Sequence, residues 1–184
     1  THPNIININK IDTFNLTKLI IMILQYFKKK ENEYKKIADK IYVSTLLKSK
    51  ELSKDNFFKE VNFDSSFELI SIILIFYLKT FKNINKSKYQ QINDELVKNL
   101  INDLDKTLRE IGIGDMSIGK YVKKYVKKFY YRIKVIDEIL DNYNKERFIE
   151  FLASIKTVNN NNTSQMATEL MIIYEKIKQN AEKV

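Results

Sequence analysis

The chain has no cysteine and no tryptophan, and only one histidine, one proline and three glycines among its 184 residues. Without cysteine there is no disulfide, no thiolate metal site and no thiol nucleophile. The single histidine, His2, stands beside the chain start, so a buried imidazole metal cluster is excluded as well. No cofactor is expected. Long apolar runs are also missing: the most apolar stretch, Leu69 to Leu78, is ten residues interrupted only by Ser71. A membrane span needs about 20 residues, so this run reads as a buried helix. No signal peptide is expected in the sequence as it stands from Thr1. Alternating strand patterns of useful length and fixed-period repeats are absent too.

What is present is a helical pattern. A chain of this size buries roughly 70% of its unfolded surface, enough for a core without staples. With 44% apolar residues, eleven Tyr and eleven Phe, it has the material for one. The expectation is an all-α protein: a loose arm over residues 1–15, then a single compact domain of about seven helices over residues 16–180. Leu16, Leu19, Ile20, Ile23, Leu24 and Phe27 predict the first helix, closing in Lys28 to Lys30, and Tyr34, Ile37, Ala38, Ile41, Tyr42 and Leu46 the second. Asp55 to Phe58 is expected to form a short helical turn, and Asn62 to Ser66 a polar link with capping residues. Helix three, about Ser66 to Lys82, is apolar nearly all round and is expected at the centre. Ile92, Leu96, Leu100, Leu104, Leu108 and Ile111 predict the fourth helix, and Ile118 through Leu140 the fifth. Phe148 to Ile155 and Met166 to Ile177 predict the last two, with the Asn159 to Asn162 tract as a loop between them.

All three glycines fall between helices four and five, at Gly112, Gly114 and Gly119. Gly112 is expected as a left-handed helix terminator, and Asp115 or Ser117 as the next cap. Gly114 to Lys120 reads G-x-x-x-x-G-K, most of a phosphate-binding loop. Such a loop must follow a strand and be followed by Ser or Thr; here a helical pattern precedes it and Tyr121 follows. Asp103, Asp105, Glu110 and Asp115 form an acidic group, but Asp103 and Asp105 are two apart on a helix and do not face each other. A charged helix end, with Arg109 pairing across the break, is the better reading. Asn161-Asn162-Thr163 is formally a glycosylation sequon, expected to be a loop only.

The net charge of +9 concentrates in the same place. Lys120, Lys123, Lys124, Lys127, Lys128, Arg132 and Lys134 form a row with no acid between Asp115 and Asp137. A solvated helix face usually intersperses acids, so an unrelieved row predicts docking on an anionic surface, either membrane headgroups or RNA. A helical RNA- or ribosome-binding module acting through this helix is the alternative to the reading that follows.

Asp103-Leu104-Asp105, then Leu108 through Asp115, then Ile118-Gly119-Lys120, and Phe129-Tyr130 with Arg132, closely resemble the signature of the ubiquinol-cytochrome c chaperone family. The likeness extends upstream through Ile37 to Leu47, Phe57-Phe58, Val61 and Phe67-Glu68-Leu69-Ile70, covering about Tyr34 to Asp141. The chain departs from the family at Tyr131, where glycine is usual, near Ile73, where a histidine is usual, and in the short Asn62 to Ser66 link.

The resemblance implies an assembly factor rather than an enzyme. It would hold newly made cytochrome b at the bacterial cytoplasmic or mitochondrial matrix side of the inner membrane, with the ribosome and a small helical assembly protein as further partners. Arg109, Gly112, Gly114, Asp115, Gly119, Phe129, Tyr130 and Arg132 are then the expected client- or partner-binding residues. Lys120, Lys123, Lys124, Lys127, Lys128 and Lys134 are the expected membrane- or RNA-docking residues. The glycines are expected to let two helices approach closely beside an apolar client groove.

Overall fold

The computed structural model describes residues 33–84 and 87–181. The expected arm and the expected first helix lie outside the described residues. The first described helix, α1, covers 33–52 and buries Tyr34, Ala38, Ile41, Tyr42, Thr45, Ser49 and Leu52, the three-and-four spacing of one helix face. After it come α2 (Phe63–Ile84), α3 (Ser87–Glu110), α4 (Asp115–Asp141), α5 (Lys145–Ala153) and α6 (Thr163–Asn180). Among the described residues there is no strand, only an antiparallel backbone pairing of Phe58 with Val158.

That pairing replaces the helical turn expected at Asp55 to Phe58. Asn159 donates its N–H to the Phe57 carbonyl at 2.8 Å, and Lys59 donates to Thr157 at 2.9 Å. The Asn162 side chain donates to the Asn56 carbonyl at 2.7 Å. The asparagine-rich loop thus supplies partners that a helical turn would have found within itself, and Phe57 and Phe58 are delivered into the core from an extended backbone.

Helix α2 is the central element and starts earlier than expected. The Asn62 side chain accepts from the Ser65 N–H at 3.1 Å, while Ser65 Oγ accepts from the Asn62 N–H at 2.8 Å, a reciprocal cap that opens the helix at Phe63. From Phe67 to Phe76 only Ile70 is not fully buried, because α2 packs against α3, α4 and α6 at once. Helix α3 by contrast buries one row, Tyr89, Ile92, Leu96, Leu100, Leu104 and Leu108, and leaves Ile111 exposed.

The α3–α4 joint is a complete helix-stop motif. Gly112, at φ +96°, donates to the Arg109 carbonyl, and Ile113 donates to the Leu108 carbonyl, both at 3.0 Å. Gly114 then caps α4 from an extended backbone with no side-chain hydrogen bond, so neither Asp115 nor Ser117 is the cap. Asp115 lies in the first turn instead, where its charge suits the helix dipole.

Candidate docking face and buried ion cluster

Helix α4 has two functional sides, and its packing on α2 decides which residue belongs to which. Lys120, Lys123, Lys124, Lys127 and Lys134 are exposed. At about 100° per residue they fall within one outward stripe with Met116 and Tyr131, and Tyr130 lies at its margin. Tyr130 and Tyr131 are 54% and 60% exposed. No acid interrupts the stripe between Met116 and Lys134, a run of about 27 Å at 1.5 Å per residue.

The other side faces inward and is electrically closed. Glu68, only 1% exposed, is gripped by Arg132 through Nε and Nη2, both at 3.0 Å, and by Lys128 Nζ at 2.7 Å. Lys128 also reaches Asp64 at 3.8 Å, and the Tyr125 hydroxyl donates to Asp64 at 3.0 Å. Aromatic rings wall the cluster: Lys128 stands over Phe67 at 5.2 Å and Arg132 over Phe151 at 5.2 Å. Burial, reinforced by the neighbouring Asp64 carboxylate, pushes the Tyr125 phenol up to about 12, so it remains a donor at physiological pH. A buried carboxylate is tolerated only when paired and hydrogen-bonded, and here one bidentate guanidinium and one ammonium meet that condition.

The row of seven cations is therefore not uniform. Lys128 and Arg132 are neutralised by Asp64 and Glu68, which correct the expectation that Lys128 shares the docking side. A second cluster joins the same helices further along. Lys79 of α2, 5% exposed, binds Asp141 at 2.7 Å and Asp137 at 3.7 Å, and Lys82 binds Asp137 at 3.2 Å. Residue numbers rise together along both helices, from Asp64 with Tyr125 to Lys79 with Asp141, so α2 and α4 run parallel with α3 returning between them.

The expected client-binding residues do not converge. Arg109 pairs with Asp105 at 2.7 Å and reaches across the joint to Asp115, as expected. Asp103 instead accepts from Tyr42 at 3.0 Å; burial and that carboxylate hold the Tyr42 phenol well above its ordinary value. Gly112 and Gly114 lie at the joint, while Arg132 is about 25 Å further along α4. Phe129 is a core residue, 1% exposed, and offers nothing to a surface partner. The close-approach role of the glycines is overturned: a Cβ on Gly112, Gly114 or Gly119 would meet no atom within 4 Å.

Asp64 and Glu68 are the residues that sequence patterning missed. The signal was there: Glu68 is the sole charge between Phe67 and Leu78, and a charge inside such a run needs a partner. Among the described residues, no helix is long and apolar enough to cross a membrane, and no group of three or more His, Asp or Glu is placed to hold a metal ion.

These features define a class: an all-α domain with a parallel pair of helices fixed by one buried and one half-exposed ion cluster, and one cationic outer face. The chain matches the ubiquinol-cytochrome C chaperone family over residues 58–174 and belongs to that family. No curated protein matches it. In fold it is similar to the crystal structure of the Cbp3 homolog from Brucella abortus, with a TM-score of 0.71 and 19% identity, covering 85% of this chain and 88% of that one. The matched segment contains both ion clusters and the whole lysine stripe.

Proposed function

We propose that the protein is a non-enzymatic assembly chaperone that holds newly made cytochrome b while ubiquinol-cytochrome c reductase is assembled. It acts as a peripheral protein at the cytoplasmic or matrix face of the inner membrane. The observation that carries this reading is family membership over a segment that includes the central helix and the cationic helix together. The outward lysine stripe supports the location. Each lysine close to an anionic membrane contributes about 1 kcal/mol of attraction, so several in one flat stripe are enough to hold a peripheral domain against a bilayer that carries the client.

The test is affinity isolation from gently solubilised membranes of cells making the complex, comparing the wild type with Lys120→Gln, Lys123→Gln, Lys124→Gln and Lys127→Gln combined. Lys128 is left in place because Glu68 needs it. Cytochrome b is expected to co-purify with the wild type and to fall several-fold with the variant. Recovery of ribosomal RNA without cytochrome b would overturn the reading in favour of an RNA-binding module.

A further inference from the structure

Away from α4, a groove of about 360 Å³ opens between α1 and α6 over the side of α2. Its floor is aliphatic: Ile41, Ile73, Ile173 and Ile177, all buried. Its rim is cationic, with Lys40 and Lys48 from α1 and Lys176 from α6, and no acid among the described residues lines it. Glu51 pairs with Lys48 at 2.8 Å, and its charge also reaches Lys176 beyond ion-pair distance. Among the described residues, no carboxylate lies within ion-pair distance of Lys40 or Lys176. Ser44 and Tyr77 add hydroxyls at the wall, and burial raises the Tyr77 phenol above its ordinary value, keeping it protonated.

A concave apolar site with a few polar groups at its edge is the ordinary form of a small-ligand pocket, and about 300 Å³ is enough for one. The two halves of this site ask for different chemistry from one ligand. The floor favours a hydrocarbon chain, whose removal from water drives binding; the rim favours an anion, because its three amines outnumber Glu51, the carboxylate that reaches Lys48 and Lys176. All of the α1 wall and Lys176 and Ile177 of α6 lie outside residues 58–174, the segment the family shares. We propose that the α1–α6 groove binds a single-chain anionic amphiphile, its acyl or alkyl chain on the isoleucine floor and its carboxylate or phosphate head among Lys40, Lys48 and Lys176.

The probe is cis-parinaric acid, whose fluorescence rises on entering an apolar site, titrated into the full chain below its micelle concentration. One saturable site is expected. Dodecyl phosphate should displace it at concentrations more than tenfold lower than dodecanol, which has the chain but no charge. Lys40→Gln with Lys176→Gln should weaken probe binding about tenfold, and Ser44→Trp should block it by filling the groove from an exposed position. Matching thermal unfolding of wild type and variants shows that the fold is kept; should the Trp variant fail to fold, the lysine pair and the dodecanol comparison decide. Absence of saturable binding, equal competition by dodecanol, or wild-type affinity in both variants overturns the proposal. So does probe binding that anionic phosphatidylglycerol vesicles abolish through the α4 stripe alone, since the ligand would then sit elsewhere.

Discussion

Tyr125 stands where the inward side of α4 meets the start of α2, and its hydroxyl ties the two together through Asp64. Its phenol titrates near 12 in the folded protein and near 10 unfolded. Because the folded value is the higher one, the unfolded state loses its proton first as pH rises. The stability this residue contributes is complete below pH 10 and is lost as pH climbs through about 12. Tyr125→Phe removes the hydrogen bond and is expected to cost about 1 kcal/mol at neutral pH. In urea titrations repeated from pH 7 to 12, the gap between wild type and variant should close across the upper two units. A gap that stays constant would mean the Asp64 contact contributes nothing. The tyrosine was legible in the sequence as an apolar position of a predicted helix; its polar role was not, because Asp64 lies 61 residues away and nothing local links them.

At the scale of the element, the six α-helices among the described residues were readable from their spacing, and the joints were not. Spacing of Leu and Ile predicts α3 and α4 because a 3.6-residue period leaves a visible trace. Gly112 was legible too, since only a residue free to adopt positive φ closes that motif cheaply. The α4–α5 joint uses the same geometry without a glycine. There Tyr143, at φ 47°, donates to Leu140 and Asn144 donates to Ile139, so no compositional cue marked it.

The three glycines also divide by mechanism, which gives opposite signs on substitution. Gly119 lies inside α4 facing open solvent, so Gly119→Ala should stabilise by about 0.5–1 kcal/mol, the difference in helix propensity. Gly112→Ala forces a Cβ into left-handed backbone and should destabilise by about 1 kcal/mol or more, although the space around it is open. Thermal denaturation of the two variants side by side distinguishes them. Destabilisation by Gly119→Ala would restore the close-approach role that the geometry removes.

At the scale of the whole molecule, charge placement separates what holds the fold from what meets a partner. The first half of α2 is acidic where it touches α4 and the second half basic, while α4 carries the reverse order. Only a parallel arrangement near this register brings opposites together; turning α4 around would set Asp137 and Asp141 against Asp64 and Glu68. The like charges would repel in a partly dry interface, so the clusters specify topology as well as joining it. The outward lysines take no part in this. Two substitutions should therefore act on different properties. Glu68→Gln leaves Arg132, 12% exposed, and Lys128 against a neutral partner, and loss of one member of a buried pair costs about 3–5 kcal/mol. Its unfolding midpoint should fall accordingly in urea. The fourfold lysine-to-glutamine variant of the stripe should unfold within about 0.5 kcal/mol per site of the wild type, because these exposed lysines have no ion pair among the described residues, Lys124 having only the Tyr125 ring at 5.7 Å, and Gln keeps the helix propensity. Sedimentation with vesicles rich in anionic lipid should show the converse: binding by the four-lysine variant falls by at least tenfold and the wild-type interaction weakens as salt rises. If the stripe variant unfolded early, or if Glu68→Gln kept full stability, the division of α4 into a structural side and a docking side would fail.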